Sequence, residues 1–265
     1  MLCITRLYTD YDNPTFRIIL KKTTQFLTQM TYTAKVLQSV QETPDVKTII
    51  IERPKEFKFT SGQFVMISTG YRDEKKLLIK RSYSIASEPN KTEYLEFCVK
   101  KKQAPSFSAA LHELKQEDTL FIEGPFGKFV LKEPLKENTI FIAGGAGIAP
   151  IRSMIKTAIA KELQHKIALF YSFHFPEDYI YKTELEELAK KEKKIEIFAS
   201  MSAKDKEFSE WSGLRGRVTE HLPKHIEQRK EYTIYICGPP PMVADTVKQL
   251  ISLGVKEENI NKEAW

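Results

Sequence analysis

Short apolar runs separated by turn residues make up the first half of the chain. Each run is rich in β-branched residues or alternates between polar and apolar positions, which is typical of strands. The runs occupy residues 46–51, 63–68, 94–100 and 119–123, and residues 30–34 form an earlier strand-like segment. One helix is predicted among them, because apolar residues recur at helical spacing from Phe107 to Leu114. Strands at this spacing predict an antiparallel six-stranded barrel over residues 30–135.

The second half changes to apolar runs that alternate with helical stretches. The runs occupy residues 139–143, 166–171, 195–200 and 233–237. After the first of them, apolar residues recur at helical spacing from Ile151 to Ile159, and Pro150 suits the first turn of that helix. Apolar strands that alternate with helices predict a parallel α/β domain over residues 136–265.

Composition adds a slight basic excess to this picture. The 265 residues are 42% hydrophobic and 29% charged, typical of a globular protein of one or two domains. A net charge of +6 arises from 41 basic and 35 acidic residues that are interleaved. This excess favours an acidic protein or phosphate-bearing cofactors as partners over nucleic acid. No apolar run reaches the roughly 18 residues needed to span a bilayer, so no membrane span is predicted.

The three cysteines exclude several kinds of site. Cys3, Cys98 and Cys237 are far apart and odd in number, so they predict neither a disulfide framework nor a metal site. An iron–sulfur cluster on this chain is excluded as well, because it needs four ligands. Free thiols favour a reducing, cytoplasmic location. Residues 1–29 lack the pattern of a signal peptide and form an extension of unknown role, either an accessory strand pair or the product of an upstream start codon.

Five short motifs follow one another along this frame. They are Arg81-Ser82-Tyr83-Ser84, Gly124-Pro125-Phe126-Gly127, the glycine-rich residues 144–150, Cys237-Gly238-Pro239 and Glu263-Ala264-Trp265. In the first, a cation, an aromatic ring and a hydroxyl suit the phosphate, the ring and a ring nitrogen of a flavin. The glycine-rich segment follows a buried strand and opens a helix, as a phosphate-binding turn does. Two nucleotide sites predict hydride transfer from a nicotinamide to a flavin.

In this order, the motifs resemble those of the ferredoxin-NADP+ reductase family of flavoproteins, over residues 30–265. The resemblance implies bound FAD, with FMN as the less favoured alternative. Arg81 would contact the flavin phosphate, Tyr83 would pack on the isoalloxazine, and Ser84 would lie near N5. The strand residues Cys98, Val99 and Lys100 would run along the adenosine side. Backbone amides of Ser106, Phe107 and Ser108 would meet the pyrophosphate, although Pro105 replaces the family's glycine here.

The same resemblance implies a nicotinamide site in the second half. Its expected cofactor-binding residues are Gly144, Gly145, Gly147, Pro150, Ser200, Cys237, Gly238, Pro239 and Met242. Pro150 stands where a stand-alone dinucleotide-binding turn has its third glycine, and the family shares this departure. Met201 follows Ser200 where NADPH-binding members have an arginine, so NADH is favoured over NADPH, with Lys204 as an alternative phosphate ligand.

Four residues are expected to take part in catalysis. The resemblance places Ser84, Cys237, Glu263 and Trp265 around the reacting rings. Trp265 would stack on the flavin and move aside for the nicotinamide, and Glu263 would act through Ser84 on a proton near N5.

The electron acceptor stays open at this point. We expect a ferredoxin, a flavodoxin or an oxygenase component, with NAD(P)H as the electron donor. Basic residues of the first half would dock an acidic carrier or form a solvated face; they are Lys75, Lys76, Lys80, Lys100, Lys101 and Lys102. Two alternatives are a reductase of free flavin and an electron-transfer subunit of a larger complex.

Overall fold

The computed structural model describes residues 31–72, 77–90, 93–135, 138–162, 165–203, 208–226 and 231–265. The predicted extension over residues 1–29 lies outside the described residues, and so do Lys75, Lys76 and Lys204. Within the described part of the chain, no helix has the length and apolar character required to cross a membrane.

The first half forms a six-stranded antiparallel sheet. Its strands are β1 (Thr31–Thr43), β2 (Val46–Glu52), β3 (Phe64–Ser68), β4 (Arg81–Ser84), β5 (Tyr94–Lys100) and β6 (Thr119–Phe126), and the helix α1 is Phe107–His112. The strand order is β4-β3-β6-β1-β2-β5. A bridge between Ile85 and Phe97 joins the two edges, which closes the sheet into the predicted barrel.

The second half forms a parallel sheet of six strands. These are β7 (Thr139–Gly144), β8 (Ile167–Phe173), β9 (Ile195–Met201), β10 (Leu214–Arg215), β11 (Thr233–Gly238) and β12 (Ile260–Ala264), in the order β10-β9-β8-β7-β11-β12. The helices are α2 (Ile148–Ala160), α3 (Lys182–Lys191), α4 (Val218–His221) and α5 (Pro240–Ser252). The predicted fold class, a barrel followed by a parallel α/β unit, is confirmed.

Alternation along β7 shows how the helices cover both faces of this sheet. Phe141 and Ala143 belong to an apolar cluster that also contains residues of α2 and α3. Ile140 and Ile142 belong to a second cluster, which contains residues of α4 and α5. Because successive strand residues point to opposite faces, a strand buried on both sides must be apolar throughout.

The two halves share part of their apolar core. The cluster formed by β7, α2 and α3 also contains side chains of the first half, which are Val46, Ala86, Cys98, Phe129 and Leu131. The barrel therefore packs directly against the face of the parallel sheet that α2 covers.

Candidate active site

A cavity of about 830 Å³ opens between the barrel and the second sheet. Most residues predicted for the flavin site line it; these are Arg81, Tyr83, Ser84, Cys98, Lys100, Ser106, Phe107, Ser108, Glu263 and Trp265. They come from β4, β5, the start of α1 and the end of β12. The barrel closure places β4 and β5 beside each other, and α1 follows β5 directly along the chain. We call this space the first cavity.

Aromatic rings form one wall of the first cavity. The ring centroids of Tyr83 and Phe107 lie 6.4 Å apart, and those of Tyr71 and Phe107 lie 6.1 Å apart. Burial raises the pKa of Tyr83 to about 12, against the opposing charge of Arg81. The Tyr83 hydroxyl therefore stays neutral at physiological pH, and its ring offers a flat apolar surface.

Cations and serine hydroxyls beside the start of α1 also line the first cavity. The Ser106 hydroxyl caps the helix by accepting a hydrogen bond from the Ala109 amide at 3.2 Å, and it donates to the Lys102 carbonyl at 3.1 Å. Ser108 accepts a hydrogen bond from the Lys102 amide at 2.9 Å. Lys100, Lys101 and Lys102 also line the cavity. This donor set suits the phosphates of a dinucleotide.

A second cavity of about 390 Å³ lies at the carboxyl ends of the parallel strands. Of the residues predicted for the nicotinamide site, Gly144, Gly145, Pro239 and Met242 line it. Lys100 and Ala146 line both cavities, so the two spaces adjoin. Parallel sheets bind ligands at this edge.

Close packing explains the glycine at position 147. A Cβ atom on Gly147 would lie 2.3 Å from the carbonyl oxygen of Cys237, so only glycine lets the start of α2 approach the end of β11. Gly145 has a φ of +52°, and its carbonyl accepts a hydrogen bond from the Tyr171 hydroxyl at 3.1 Å. Gly147 and the buried Pro150 therefore shape the turn without lining either cavity.

Register between β11 and β12 brings Cys237 and Glu263 together. The two residues are paired neighbours in this parallel ladder, and Gly238 pairs with Ala264. Burial and the nearby charge of Glu263 raise the pKa of the Cys237 thiol to about 12, and a hydrogen bond with Trp265 opposes them. Burial also raises the pKa of Glu263 above its usual 4.5. Cys237 is thus a neutral thiol beside Glu263, and neither Cys237 nor Gly238 lines either cavity.

Several predicted residues lie elsewhere. Val99 is buried in the barrel core, and Ser200 is buried with its hydroxyl donating to the Gly216 carbonyl at 2.6 Å. Met201, whose identity favoured NADH, is fully buried in the shared core. Neither Ser200 nor Met201 lines the second cavity.

Other lining residues were missed by the sequence analysis. Asp45, His174, Asp178, Arg217 and Asp245 all line the second cavity. They stand in no recognisable motif, and all but His174 and Asp178 are distant from one another along the chain. The rule that parallel sheets bind ligands beyond the carboxyl ends of their strands was the available signal, and it identifies only the residues that directly follow a strand. Among the described residues, no group of three or more His, Cys, Asp or Glu side chains is arranged to hold a metal ion.

Comparisons with known proteins identify two domains in the chain. Residues 33–131 match the oxidoreductase FAD-binding domain and residues 141–248 match the oxidoreductase NAD-binding domain. A ferredoxin–NADP reductase B from Sorangium cellulosum is 29% identical over 232 residues, which cover 84% of this chain and 92% of that protein. The phenol hydroxylase P5 protein of Acinetobacter pittii is 27% identical over 237 residues, or 88% of this chain and 65% of that protein's length.

A solved structure extends the agreement to three dimensions. The ferredoxin NADP+ reductase from Neisseria gonorrhoeae, with bound FAD and NADP, superposes with a TM-score of 0.76 at 25% identity, covering 88% of this chain and 98% of that one. The fold and the two cavities thus define an FAD- and NAD-binding oxidoreductase. Within that class, the chain belongs to the ferredoxin-NADP+ reductase-like flavoprotein reductases.

Proposed function

We propose that the protein takes hydride from NAD(P)H onto FAD held in the first cavity and delivers the electrons to a carrier or an oxygenase component. The observation that supports this most directly is the adjacency of the two cavities, which share Lys100 and Ala146 as lining residues. A flavin accepts hydride and releases electrons singly, so it couples a two-electron donor to a one-electron acceptor.

The lining residues have different roles in this reaction. Arg81 and the lysines at 100–102 balance the phosphate charge, and the rings of Tyr83 and Phe107 orient the flat heterocycle. Glu263 and Ser84 line the same cavity, and burial raises the pKa of the Glu263 carboxyl, so Glu263 would exchange a proton beside the Ser84 hydroxyl. The neutral Cys237 thiol would support the nicotinamide ring from behind without introducing a charge.

Trp265 would control access to the flavin. Its side chain lines the first cavity although the residue is 54% exposed. An indole on the flavin occupies the face where the nicotinamide must bind, so it has to move before hydride transfer. Because the side chain is exposed and lies outside β12, it has room to do so.

The cofactors follow from the shape and charge of the cavities. The first cavity has a volume of about 830 Å³ and is lined both by aromatic rings and by the lysines and serines near the start of α1, which supports FAD over FMN. We keep NADH as the preferred donor, because Asp178 and Asp245 line the second cavity and would repel the 2′-phosphate of NADPH. Arg217 also lines it, but its Nη1 lies 3.9 Å from the Asp245 carboxylate.

The acceptor we propose is an acidic electron-carrier protein. Relatives include a reductase component of propane 2-monooxygenase from Mycolicibacterium smegmatis and the phenol hydroxylase P5 protein. The chain spans about two thirds of the P5 protein's length, so its own acceptor is inferred only from the basic rim at Lys100 to Lys102.

We also propose a cytoplasmic location, because the described cysteines, Cys98 and Cys237, are free. The domain division is proposed near residue 135, which lies between the segments matched to the two family models.

Anaerobic flavin reduction tests the proposal. The purified protein should be yellow, and NADH should bleach its flavin band near ~450 nm. A panel of ferredoxins, flavodoxins and free FMN then separates reduction of a carrier from reduction of free flavin. A colourless protein that neither FAD nor FMN restores would contradict the proposal.

A further inference from the structure

Arg152 occupies an unusual position on α2, at the boundary between the two halves. The residue is only 4% exposed, and its guanidinium lies over the ring of Tyr181, 4.5 Å from the ring centroid. On the barrel side it meets Glu96 and the Ala86 carbonyl, and on its own side it meets Glu184 of α3. One buried cation thus contacts both halves.

Every N–H group of this guanidinium has an acceptor. Nε donates to Glu184 at 2.9 Å, and Nη2 donates to Glu184 at 2.7 Å and to Glu96 at 3.4 Å. Nη1 donates to Glu96 at 2.6 Å and to the Ala86 carbonyl at 2.9 Å. An arginine has five N–H donors in a rigid planar fork, so this arrangement specifies both position and orientation.

The next residue adds a second connection. The Ser153 hydroxyl donates to the Ser87 carbonyl at 2.6 Å, and the Ser87 hydroxyl accepts a hydrogen bond from the Glu96 amide at 3.2 Å. Arg152 and Ser153 therefore hold two consecutive barrel carbonyls. We call this set of contacts, from Arg152 and Ser153 to Ala86, Ser87 and Glu96, the interdomain clamp.

The clamp connects the elements on which both cavities depend. Ala86 and Ser87 come directly after Ile85, which follows the Arg81–Ser84 strand at the first cavity. On the other side, Ala149 lines the first cavity and stands three positions before Arg152 on the same helix. The same helix begins directly after the glycine turn that borders the second cavity.

We propose that Arg152 and Ser153 are positioning residues for hydride transfer, because the interdomain clamp sets the distance and angle between the nicotinamide turn and the flavin strand. The proposal rests on the proposed function. Hydride transfer requires the reacting atoms to be held about 3–3.5 Å apart, and a small displacement slows it by up to about a hundredfold. Neither residue lines the first or the second cavity, so the clamp acts on geometry and not on cofactor contacts.

Three variants separate this role from ordinary stability. Arg152→Lys keeps the charge but loses the planar fork, and Ser153→Ala removes one hydrogen bond while leaving the ion pairs intact. Glu133→Gln is the matched control, because Glu133 pairs with Lys161 at the other end of the same helix, where both side chains are exposed. For each variant, stopped-flow absorbance gives the rate of flavin reduction and the long-wavelength band from nicotinamide stacked on flavin. FAD content and the Kd for NAD+ are measured in parallel.

We expect Arg152→Lys to slow flavin reduction by about tenfold or more and Ser153→Ala by about threefold, with a weaker stacking band. FAD content and the Kd for NAD+ should stay within about threefold of wild type. In flavin-free protein, hydrogen exchange should become faster at the Ile85 and Ala86 amides, which donate to the Gln63 and Glu96 carbonyls at 2.9 and 2.8 Å. Glu133→Gln should match wild type in every measurement.

Different failures have different meanings. If Arg152→Lys fails to fold, Ser153→Ala decides, and a folded Ser153→Ala variant with wild-type rate and exchange overturns the clamp. A loss of rate fully accounted for by lost FAD also overturns it. A wild-type protein that binds flavin but is reduced by neither NADH nor NADPH contradicts the proposed function itself, together with the role in hydride transfer.

Discussion

The carboxyl group of Glu263 lies in surroundings that disfavour its charge. Burial raises its pKa above the usual 4.5, so the folded protein binds this proton more tightly than the unfolded chain does. Below the usual pKa both states are protonated and the group has no effect on stability. Above the raised pKa both are ionised, and the folded state carries the full desolvation cost.

We therefore expect Glu263→Gln to become more stable relative to wild type as the pH rises from the usual pKa of a glutamate to the raised pKa of Glu263. At neutral pH its Tm should equal or exceed that of wild type, while flavin reduction slows because the glutamine amide cannot exchange a proton beside Ser84. Thermal unfolding at several pH values, paired with stopped-flow rates, checks both effects. A variant that is less stable than wild type at neutral pH would refute the burial argument.

Met201 shows how a site prediction can depend on a residue that faces the core. The sequence suggests replacing Met201 by arginine to favour NADPH, but the side chain is fully buried in the shared core. We expect Met201→Arg to reduce the free energy of unfolding by about 3 kcal/mol or more, because it buries an unpaired charge. Urea denaturation measures this loss.

Arg217 gives the contrasting variant. It is exposed and lines the second cavity, so Arg217→Ala should leave stability nearly unchanged and raise the KM for NADPH more than that for NADH. A stable Met201→Arg variant that prefers NADPH would show that Met201 faces the cofactor after all.

The glycine turn before α2 determines how closely the start of that helix approaches β11, which leads to a prediction. A Cβ atom at Gly147 would press against the Cys237 backbone at 2.3 Å, which cannot move without displacing β11. At Gly144 the nearest atom is the Met242 sulfur at 2.4 Å, at the flexible end of a side chain. Gly147→Ala should therefore cost about 1–3 kcal/mol of stability and weaken NAD+ binding, whereas Gly144→Ala should cost less.

The difference between the stability losses of the two variants tests this argument, because both variants add one methyl group within the same turn. Urea midpoints and NAD+ titrations of the pair measure it. Equal losses of stability would mean that the helix start can move away from β11 freely.

Element by element, local patterns predict most of this fold but miss its last strand. Residues 94–100 are predicted to be a strand, and the structure has β5 at Tyr94–Lys100. The expected alternation is wrong, because Leu95 to Val99 are all buried, with Cys98 packed in the core shared with the second half. The strand Ile260–Ala264 contains Asn261, Lys262 and Glu263, so no apolar pattern indicates it. It forms because its backbone pairs with β11 at the sheet edge. That pairing, which the sequence does not reveal, places Glu263 beside Cys237.

The cavities were predictable only in part for a similar reason. Motif residues such as Arg81 and Tyr83 lie at the first cavity because they occupy one short strand. Asp45 and Arg217 both line the second cavity, although they are far apart in the sequence. Their proximity depends on how the barrel packs on the parallel sheet, and no local pattern contains that information.

At the scale of the whole molecule, charge near the first cavity predicts a salt response. Lys100 and Lys101 are about half exposed, and their ion pairs with Asp45 and Glu113 measure 3.1 and 3.7 Å. If an acidic carrier docks there, its reduction should slow as salt rises past ~0.1 M, where the Debye length is about 10 Å. Reduction of a small neutral acceptor should not change.

Steady-state rates with a carrier and with a neutral dye, over the same salt series, test this. Lys101→Gln should flatten the response to the carrier alone. An identical salt dependence for both acceptors would assign these lysines to the flavin phosphates only.

The shared core and the interdomain clamp also limit how genetic recombination can exchange one half of the chain without the other. A genetic crossover between residues 131 and 141 would separate Glu96 from Arg152 and divide the apolar cluster to which Phe129 and Tyr235 both belong. A hybrid of this chain and a distant relative would then bury a guanidinium opposite an unmatched surface. Substitutions at Glu96 and Arg152 should consequently occur together in descendants, so the two halves evolve as one unit despite their separate sheets.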